Sequence, residues 1–94
     1  MYLLRETTKF KKDLKKIVKR NSKDAFLIKH TLIILKEKGV EGIEIKMKPH
    51  KLKGEYLGNW ECHIKPDLLI IWFQIESPKT IKLIRIGSHS DLFK

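Results

Sequence analysis

The sequence predicts an α+β domain in which a short strand and two helices precede a three-stranded antiparallel meander, followed by a short C-terminal turn or helix. In the first half of the chain apolar residues recur every three or four positions, which is the spacing of a helix. In the second half they alternate or run continuously, which is the spacing of strands. Because both helices come before the meander, we expect both to pack on one face of the sheet.

A short strand and a first helix are predicted at the start of the chain. Residues 1–5 are a candidate strand, and Thr7 or Thr8 is a suitable N-cap for a helix that runs to about Arg20. The apolar stripe of this helix consists of Phe10, Leu14, Ile17 and Val18. Lysines cover the remaining surface, so the helix is expected to bury one face and expose the other.

A second helix is predicted from an N-cap at Ser22 to residue 38, because Gly39 suits the left-handed conformation that ends many helices. Phe26 and Ile33 lie opposite its main apolar stripe on a helical projection. We expect these two side chains to pack under a neighbouring loop. A partner protein that covers them is the alternative.

Three strands are predicted after the second helix. Residues 56–64 alternate between apolar and polar side chains, so one face of this strand should be buried. Pro66 interrupts the pattern, and the continuous apolar run at 68–75 predicts a strand covered on both faces. A last strand at 80–86 completes the meander.

The alternation in the first strand of the meander assigns side chains to faces. If Trp60 and Cys62 point toward the helices, Glu61 and His63 must point to the opposite face. We therefore expect an ionisable pair on a sheet face that the helices leave open.

The composition predicts one small soluble domain over residues 1–94. The chain is 41% hydrophobic, which is enough for a single core. Its longest apolar run, at 68–73, is far shorter than the roughly 20 residues that span a bilayer. The opening residues lack a signal-peptide pattern, and the lone Cys62 cannot form an internal disulfide. We expect a cytoplasmic protein with no membrane contact.

Positive charge is the strongest bulk property of the chain. It has 21 Lys and Arg against 11 Asp and Glu, a formal net charge of +10. Basic residues crowd positions 9–23, where Asp13 is the only acid, and return at Lys46, Lys48, Lys51 and Lys53. Such clusters in so small a domain favour a polyanionic partner, RNA or DNA.

Ionisable residues are expected to meet at one rim of the sheet. His63 and Asp67 flank the turn at Pro66, and His89 follows Arg85 at the end of the last strand. Cleavage of RNA needs a base for the 2′-OH, an acid for the 5′-oxygen and stabilisation of the phosphorane, none of which requires a metal. Histidine titrates nearest neutral pH, and the arginine fork can bind two phosphate oxygens.

RNA is expected to contact aromatic and basic side chains around this rim. Phe93 or Trp60 is suited to stack on a base. The expected RNA-binding residues are Lys48, Lys51, Lys53, Trp60, Glu61 and Lys65.

No metal and no cofactor are expected. The sequence has no HExxH or CxxC spacing, and His50, His63 and His89 lie on different elements. It also has no Gly-rich phosphate loop. Taken one at a time, each histidine is also compatible with an ordinary surface position.

Three segments of the sequence resemble one family. PHKLKG at 49–54, WECHIKPD at 60–67 and RIGSHSDLF at 85–93 resemble the YafQ branch of RelE-like toxins from bacterial toxin–antitoxin modules. The shared pattern is a histidine before L-x-G, an H-x-x-P-D segment that leads into a strand, and an R-x-G-x-H-x-x-L-F ending. The resemblance covers essentially the whole chain.

The resemblance implies a metal-independent endoribonuclease that cuts mRNA, typically during translation in the ribosomal A site. By analogy, the acid–base and phosphate-contacting residues are His50, His63, Asp67 and His89. Arg85 would stabilise charge and Phe93 would help to place the RNA. His89 is the first choice for proton transfer, and either histidine of the rim can be the base. Two positions depart from the pattern, since Glu61 replaces an expected aspartate and Leu68 replaces a residue that is aromatic in some relatives.

The resemblance also implies partners. A cognate acidic antitoxin, often with a ribbon-helix-helix DNA-binding half, would neutralise a monomeric free toxin that binds mRNA and the ribosome. Two alternatives stay open: a non-catalytic RNA- or DNA-binding module, and a protein-interaction subunit whose charge pairs with an acidic partner.

Overall fold

Five strands form a single sheet in a computed structural model of the chain, which describes residues 1–93. The strands are β1 (Leu3–Glu6), β2 (His50–Lys51), β3 (Trp60–Lys65), β4 (Leu68–Glu76) and β5 (Lys79–Gly87). The α-helices are α1 (Thr8–Arg20), α2 (Ser22–Lys38) and α3 (His89–Leu92). Short 3-10 turns occur at Gly39–Gly42, Ile45–Met47 and Gly54–Tyr56.

The sheet has the strand order β1-β5-β4-β3-β2. Strands β3, β4 and β5 form the predicted antiparallel meander, and β1 joins β5 in parallel. The α+β fold is therefore confirmed. A parallel neighbour requires a long crossover connection, which α1, α2 and the later strands provide. As a result β5 lies inside the sheet, between the first strand and the fourth.

Three local features differ from the sequence prediction. The strand predicted from residue 56 begins at Trp60, because Gly54–Tyr56 is a 3-10 turn and Gly58 has a φ of 85°. The N-cap of α2 is Asn21, not Ser22, and its side chain accepts an N–H of the first turn. Strand β2 has only two residues, too few to produce a periodic pattern.

Both helices bury the same face of the sheet, as predicted. Phe10 of α1 packs with Ile28 and Leu35 of α2 and with Ile70 and Trp72 of β4. Each of these side chains is at most 2% exposed. This helix-side core is the larger of two buried clusters.

The opposite face of the sheet is partly covered. Leu69, Ile71 and Leu92 form a second buried cluster there, with Leu52 of the loop before β3 packed against it. The prediction that Glu61 lies on an open face is wrong, because only 3% of Glu61 is exposed. Helix α3 and the loop before β3 provide the cover that the sequence pattern did not reveal.

Helix α2 leaves part of its apolar surface in solvent. Phe26 is 77% exposed and Ile33 is 47% exposed, so the prediction that they pack under a loop is wrong. The chain after α2 turns back over Ile34 instead, where a Cβ added to Gly42 would come within 2.8 Å of the Ile34 side chain. Within residues 1–93, no helix is long and apolar enough to cross a membrane.

The end of β5 projects past its neighbour β1. Strand β1 pairs with β5 only as far as Leu83, and the register between β4 and β5 skips Ile84, which bends β5. Beyond the bend, the backbone N–H of Ile86 is donated to Oδ2 of Asp13 at 3.2 Å. A side chain of α1 therefore takes the place of a neighbouring strand at this edge.

Thr7 joins the start of α1 to β5, and its removal tests this connection. Its hydroxyl donates to the carbonyl of Leu83 at 2.9 Å and accepts the N–H of Phe10 at 3.1 Å. We expect Thr7→Ala to lower the free energy of unfolding in urea by about 1–2 kcal/mol. Thr8→Ala, at an exposed position, is the matched control and should change it by less than about 0.5 kcal/mol. Equal losses would contradict the cap assignment.

Candidate active site

Two histidine rings lie side by side on the sheet face opposite the helices. His63 comes from β3 and His89 from the first turn of α3, and their ring centroids are 5.8 Å apart. Asp67, in the turn between β3 and β4, accepts the backbone N–H of His89 at 3.0 Å. The same carboxylate oxygen lies 3.4 Å from Nδ1 of His89. Three predicted site residues therefore meet at one rim.

The turn from β5 into α3 holds His89 in position. Ser88 caps α3, and its Oγ accepts the N–H of Asp91 at 3.2 Å. Leu92 is 4% exposed and anchors the helix in the second buried cluster. A Cβ at Gly87 would lie 3.4 Å from the Leu92 side chain, at ordinary van der Waals distance, so α3 packs directly beside the turn. The segment after β5 is thus anchored structure rather than a loose tail.

The environment of Asp67 favours its charged form. The N–H of His89 is the main cause of a lowered pKa at Asp67, partial desolvation acts in the opposite direction, and the His89 side chain lowers the pKa further. The carboxylate is therefore ionised near neutral pH. It is placed to orient the His89 imidazole.

Both imidazoles direct Nδ1 toward protein oxygens. Nδ1 of His63 lies 3.4 Å from the carbonyl oxygen of Pro66, and Nδ1 of His89 faces the carboxylate of Asp67. Because both oxygens only accept hydrogen bonds, this geometry favours the neutral tautomer that carries its proton on Nδ1. Nε2 is then the basic nitrogen of each ring, which is the arrangement that proton transfer to a substrate requires.

Aromatic side chains border the histidines. Phe93 is 42% exposed, and its ring centroid lies 6.0 Å from that of His89. The ring of Tyr56 meets Phe93 edge-on at a centroid distance of 5.9 Å. Phe93 is therefore held at one edge and still has surface free to contact a ligand.

Arg85 lies in the site, but most of its guanidinium is already bound. Its Nε and Nη2 donate to the two carboxylate oxygens of Asp13, at 2.7 and 3.1 Å, and Nη1 lies 3.4 Å from the hydroxyl of Tyr56. The bond to Asp13 is the main cause of the raised pKa of Arg85. A phosphate would therefore meet the Nη1 edge, not the open fork that the sequence suggested.

His50 and Glu61 form a second pair on the same face. They are opposite each other on β2 and β3, with 3.3 Å between His50 Nε2 and Glu61 Oε1. His50 Nδ1 lies 2.8 Å from the carbonyl of Lys48 and donates to it. Within residues 1–93, Glu61 Oε2 is buried without a hydrogen-bond partner. The pair therefore places a buried carboxylate beside a half-exposed imidazole.

Two of the predicted RNA-binding lysines lie beside His63. Lys48 and Lys65 line a groove of about 340 Å³ that also includes His63. Lys65 additionally pairs with Asp24, at 2.9 Å between Nζ and Oδ1. This groove extends the site toward the loop before β2.

The remaining predicted RNA contacts do not join the histidines. Nζ of Lys51 lies 5.4 Å from the centre of the Trp60 ring, and Trp60 packs against the helix-side core. Trp60 is thus on the other face of the sheet from His63, and Lys53 is exposed in the loop after β2. Of the two candidate stacking residues, the structure brings only Phe93 to the site.

Sequence reasoning missed two members of this arrangement. The alternating pattern assigns Tyr56 to a strand, whereas it lies in a 3-10 turn and faces Arg85. Asp13 has one sequence signal, because it is the only acid in the basic stretch at 9–23. That signal does not identify Arg85 as its partner, since 72 positions separate the two residues.

Histidine, cysteine and carboxylate side chains are the usual ligands of metal ions in proteins. Among residues 1–93, no three His, Cys, Asp or Glu side chains are grouped to hold one metal ion. Burial, with a smaller contribution from Glu61, raises the pKa of the Cys62 thiol to about 12. Cys62 is therefore neither a thiolate ligand nor a nucleophile near neutral pH.

Comparison with protein families gives a match over nearly the whole chain. The family described as "Bacterial toxin of type II toxin-antitoxin system, YafQ" matches residues 2–94. The chain belongs to the YafQ toxin family. This membership confirms the resemblance drawn from the three sequence segments, and with it the RelE-like arrangement of helices and sheet.

Solved structures similar to this YafQ-family chain share its fold. A metal-bound toxin from Helicobacter pylori is 38% identical, with a TM-score of 0.86 over 99% of this chain and 100% of that one. YafQ from E. coli strain BL21(DE3) is 22% identical, with a TM-score of 0.86 over all of both chains. The E. coli DinJ-YafQ complex contains a chain 23% identical, with a TM-score of 0.84 over all of both chains. No match was found among curated proteins.

The Asp13–Arg85 pair should contribute more to stability than the other helix–sheet ion pair. Asp13 and Arg85 are 15% and 19% exposed, whereas Lys65, the partner of Asp24, is 42% exposed. We expect Asp13→Asn to lower the free energy of unfolding by about 2–3 kcal/mol, because it leaves a partly buried guanidinium without its counter-charge. Asp24→Asn, the matched control, should cost about 1 kcal/mol or less. Similar losses on urea denaturation would contradict this ranking.

Asp67 should make stability depend on acid pH. Because its pKa is lowered in the folded state, its contribution is complete above the ordinary value of 3.8 and is lost as pH falls through the lower folded value. We expect Asp67→Asn, which still accepts the His89 N–H, to show a flatter decline in melting temperature below about pH 4 than the wild type. Parallel declines in the two proteins would refute the assignment.

Proposed function

We propose that this YafQ-family chain is a metal-independent endoribonuclease that cuts mRNA in association with the ribosome. The observation that carries the proposal is the pair of His63 and His89, 5.8 Å apart between ring centroids, with Asp67 bonded to the backbone of His89. Two imidazoles with a basic Nε2 can provide both the base and the acid of RNA cleavage near neutral pH.

The neighbours of the two rings suggest different roles for them. Nδ1 of His89 faces the carboxylate of Asp67, whereas Nδ1 of His63 faces only the neutral carbonyl of Pro66. We therefore assign His63 as the base and His89 as the acid. The sequence indicated His89 as the first choice for proton transfer, and the assignment now specifies that His89 is the acid.

In the proposed reaction, one phosphorus atom of the RNA backbone exchanges one P–O bond for another. Nε2 of His63 removes the proton from the ribose 2′-OH, and the 2′-oxygen forms a bond to the adjacent phosphorus. The bond from phosphorus to the 5′-oxygen breaks, and His89 gives its proton to that oxygen. The products are a 2′,3′-cyclic phosphate and a 5′-OH end. A positioned acid or base of this kind accelerates a reaction by about 100- to 10,000-fold.

Cationic groups around the histidines would stabilise the charge on the phosphorane. The Nη1 edge of Arg85 lies on one side, next to Tyr56, and the groove with Lys48 and Lys65 lies beside His63. His50 has both ring nitrogens directed at protein oxygens, Nε2 at Glu61 and Nδ1 at the carbonyl of Lys48, so neither is free to donate to a phosphate. The exposed ring of Phe93 is suited to position a base.

An acidic antitoxin is the proposed regulator. The family consists of toxins of type II toxin–antitoxin systems, and E. coli YafQ has been solved in complex with DinJ. The net charge of +10 suits an acidic partner. We propose that this partner carries a ribbon-helix-helix half and that the free toxin is a cytoplasmic monomer.

The decisive experiment compares His89→Gln with His30→Gln, because His30 is exposed on α2 away from the site. Purified proteins are incubated with an mRNA in EDTA, with and without translating ribosomes, and the RNA ends are mapped. We expect wild type and His30→Gln to leave 2′,3′-cyclic phosphate ends. His89→Gln should cut about 100- to 10,000-fold more slowly.

Three results would reject parts of this proposal. Full cleavage by His89→Gln would remove His89 from the mechanism. Cleavage that disappears in EDTA and returns with a divalent metal would replace the metal-independent mechanism. RNA binding by the wild type without any cleavage would favour the non-catalytic RNA-binding module.

A further inference from the structure

The sheet face that carries the histidines continues to a second group of side chains. Along β4, Trp72 lies in the helix-side core and Gln74 bonds Tyr2 there, so the intervening Phe73 faces the histidine side. Phe73 is opposite Lys82 of β5, and Lys82 is opposite Arg5 of β1. Directly opposite residues share a face. These three residues, the Phe73 row, therefore cross β4, β5 and β1 together.

The Phe73 row combines an exposed ring with free cations. Phe73 is 40% exposed, and Lys82 and Arg5 are exposed as well. In the part of the chain that the structure describes, neither cation forms an ion pair. A lone exposed phenylalanine is unremarkable in a soluble protein. One with two unpaired cations beside it on a sheet face has the composition of a single-stranded nucleic-acid contact.

The Phe73 row is within reach of RNA that is bound at the histidines. Phe73 is four positions along β4 from Leu69, which is opposite His63. At the rise of a strand this separation is about 13 Å. An OB fold contacts about 4–16 nucleotides of a single strand, and a strand of that length is long enough to occupy both places here. Arg85, opposite Ile71, lies at the register between them.

We propose that the Phe73 row is a second RNA subsite, in which Phe73 stacks on a base that flanks the cleaved bond while Lys82 and Arg5 contact the phosphates. This inference rests on the proposed RNA cleavage and extends it to the substrate strand outside the histidine pair. Stacking on a phenylalanine face accepts any base. The subsite should therefore add affinity for single-stranded RNA without adding sequence preference.

Binding of a defined RNA tests the subsite. The probe is a fluorescein-labelled oligouridylate of about 12 nucleotides, and every protein carries His89→Gln so that the RNA is not cut during an anisotropy titration. We expect Phe73→Leu to raise Kd by at least about fivefold, because leucine keeps the apolar contact but cannot stack. Phe73→Trp should keep the original Kd. Phe26→Leu, at an exposed phenylalanine of α2, is the matched control and should also keep it.

Salt dependence separates the roles of the ring and the cations. Lys82→Ala should lower the slope of log Kd against log salt by about 0.7, the value for one phosphate contact to a single strand. Phe73→Leu should leave this slope unchanged, because stacking releases no counterion. A lower slope for Phe73→Leu, or an unchanged slope for Lys82→Ala, would contradict the assigned contacts.

The subsite fails if Phe73→Leu binds the RNA as tightly as its parent, or if Phe26→Leu loses as much affinity as Phe73→Leu. It also fails if Phe73→Trp loses as much affinity as Phe73→Leu, since a tryptophan ring at this position should still stack on a base. The nuclease proposal is judged separately, on cleavage by proteins with His89 intact. Phe73-dependent binding without cleavage would retain the subsite and reject the nuclease, and cleavage with Phe73-independent binding would do the reverse.

Discussion

The ion pair between Asp13 and Arg85 connects helix α1 to the end of β5 that lies beside the candidate active site. Asp13 accepts two bonds from the guanidinium and one from the backbone of Ile86, so one carboxylate fixes both the edge of β5 and the direction of Arg85. Charge-assisted bonds in a partly buried place are among the stronger interactions available to a protein of this size. The anchor extends to one side of the site, because Arg85 reaches Tyr56 and Tyr56 meets Phe93.

The sheet face opposite the helices is buried at one end and exposed at the other. Near α3 it is buried by Leu69, Ile71 and Leu92, and this small cluster holds the segment that carries His89. Farther along β4 the same face is open at Phe73. Both long helices lie behind the sheet, so its other face is covered only by the short helix α3 and by loops. Where such cover ends, side chains such as Phe73 stay available to a ligand.

Much of this arrangement follows from periodicity. The helices, the meander and the placement of Trp60 and Cys62 are predictable because apolar spacing reports directly on burial. The rim of His63, Asp67 and His89 is predictable as well, since each residue lies at a strand end or in the turn beside it. These features depend on residues that are close together in the chain, so they can be predicted from the sequence.

The features that sequence reasoning missed are non-local. Glu61 occupies a polar position of an alternating strand, and nothing near it shows that a loop and β2 will bury it. Arg85 appears free until α1 is placed against β5, because its partner is 72 positions away. Tyr56 looks like a strand residue until the turn at Gly54–Tyr56 removes it from the sheet. In each case the decisive neighbour is distant in the chain or lies in a segment without a periodic pattern.

The position of β5 has a kinetic consequence. This strand comes after the other four in the chain, yet it is inserted between β1 and β4, and Leu3 pairs with Thr80. A chain that has formed its helices but not inserted β5 lacks the anchor for Arg85 and the start of α3. Pairing of residues so far apart in the chain has a large loop-closure cost, which slows folding. A chain without β5 in place would therefore hold no assembled site, and the proposed activity would require the completed sheet.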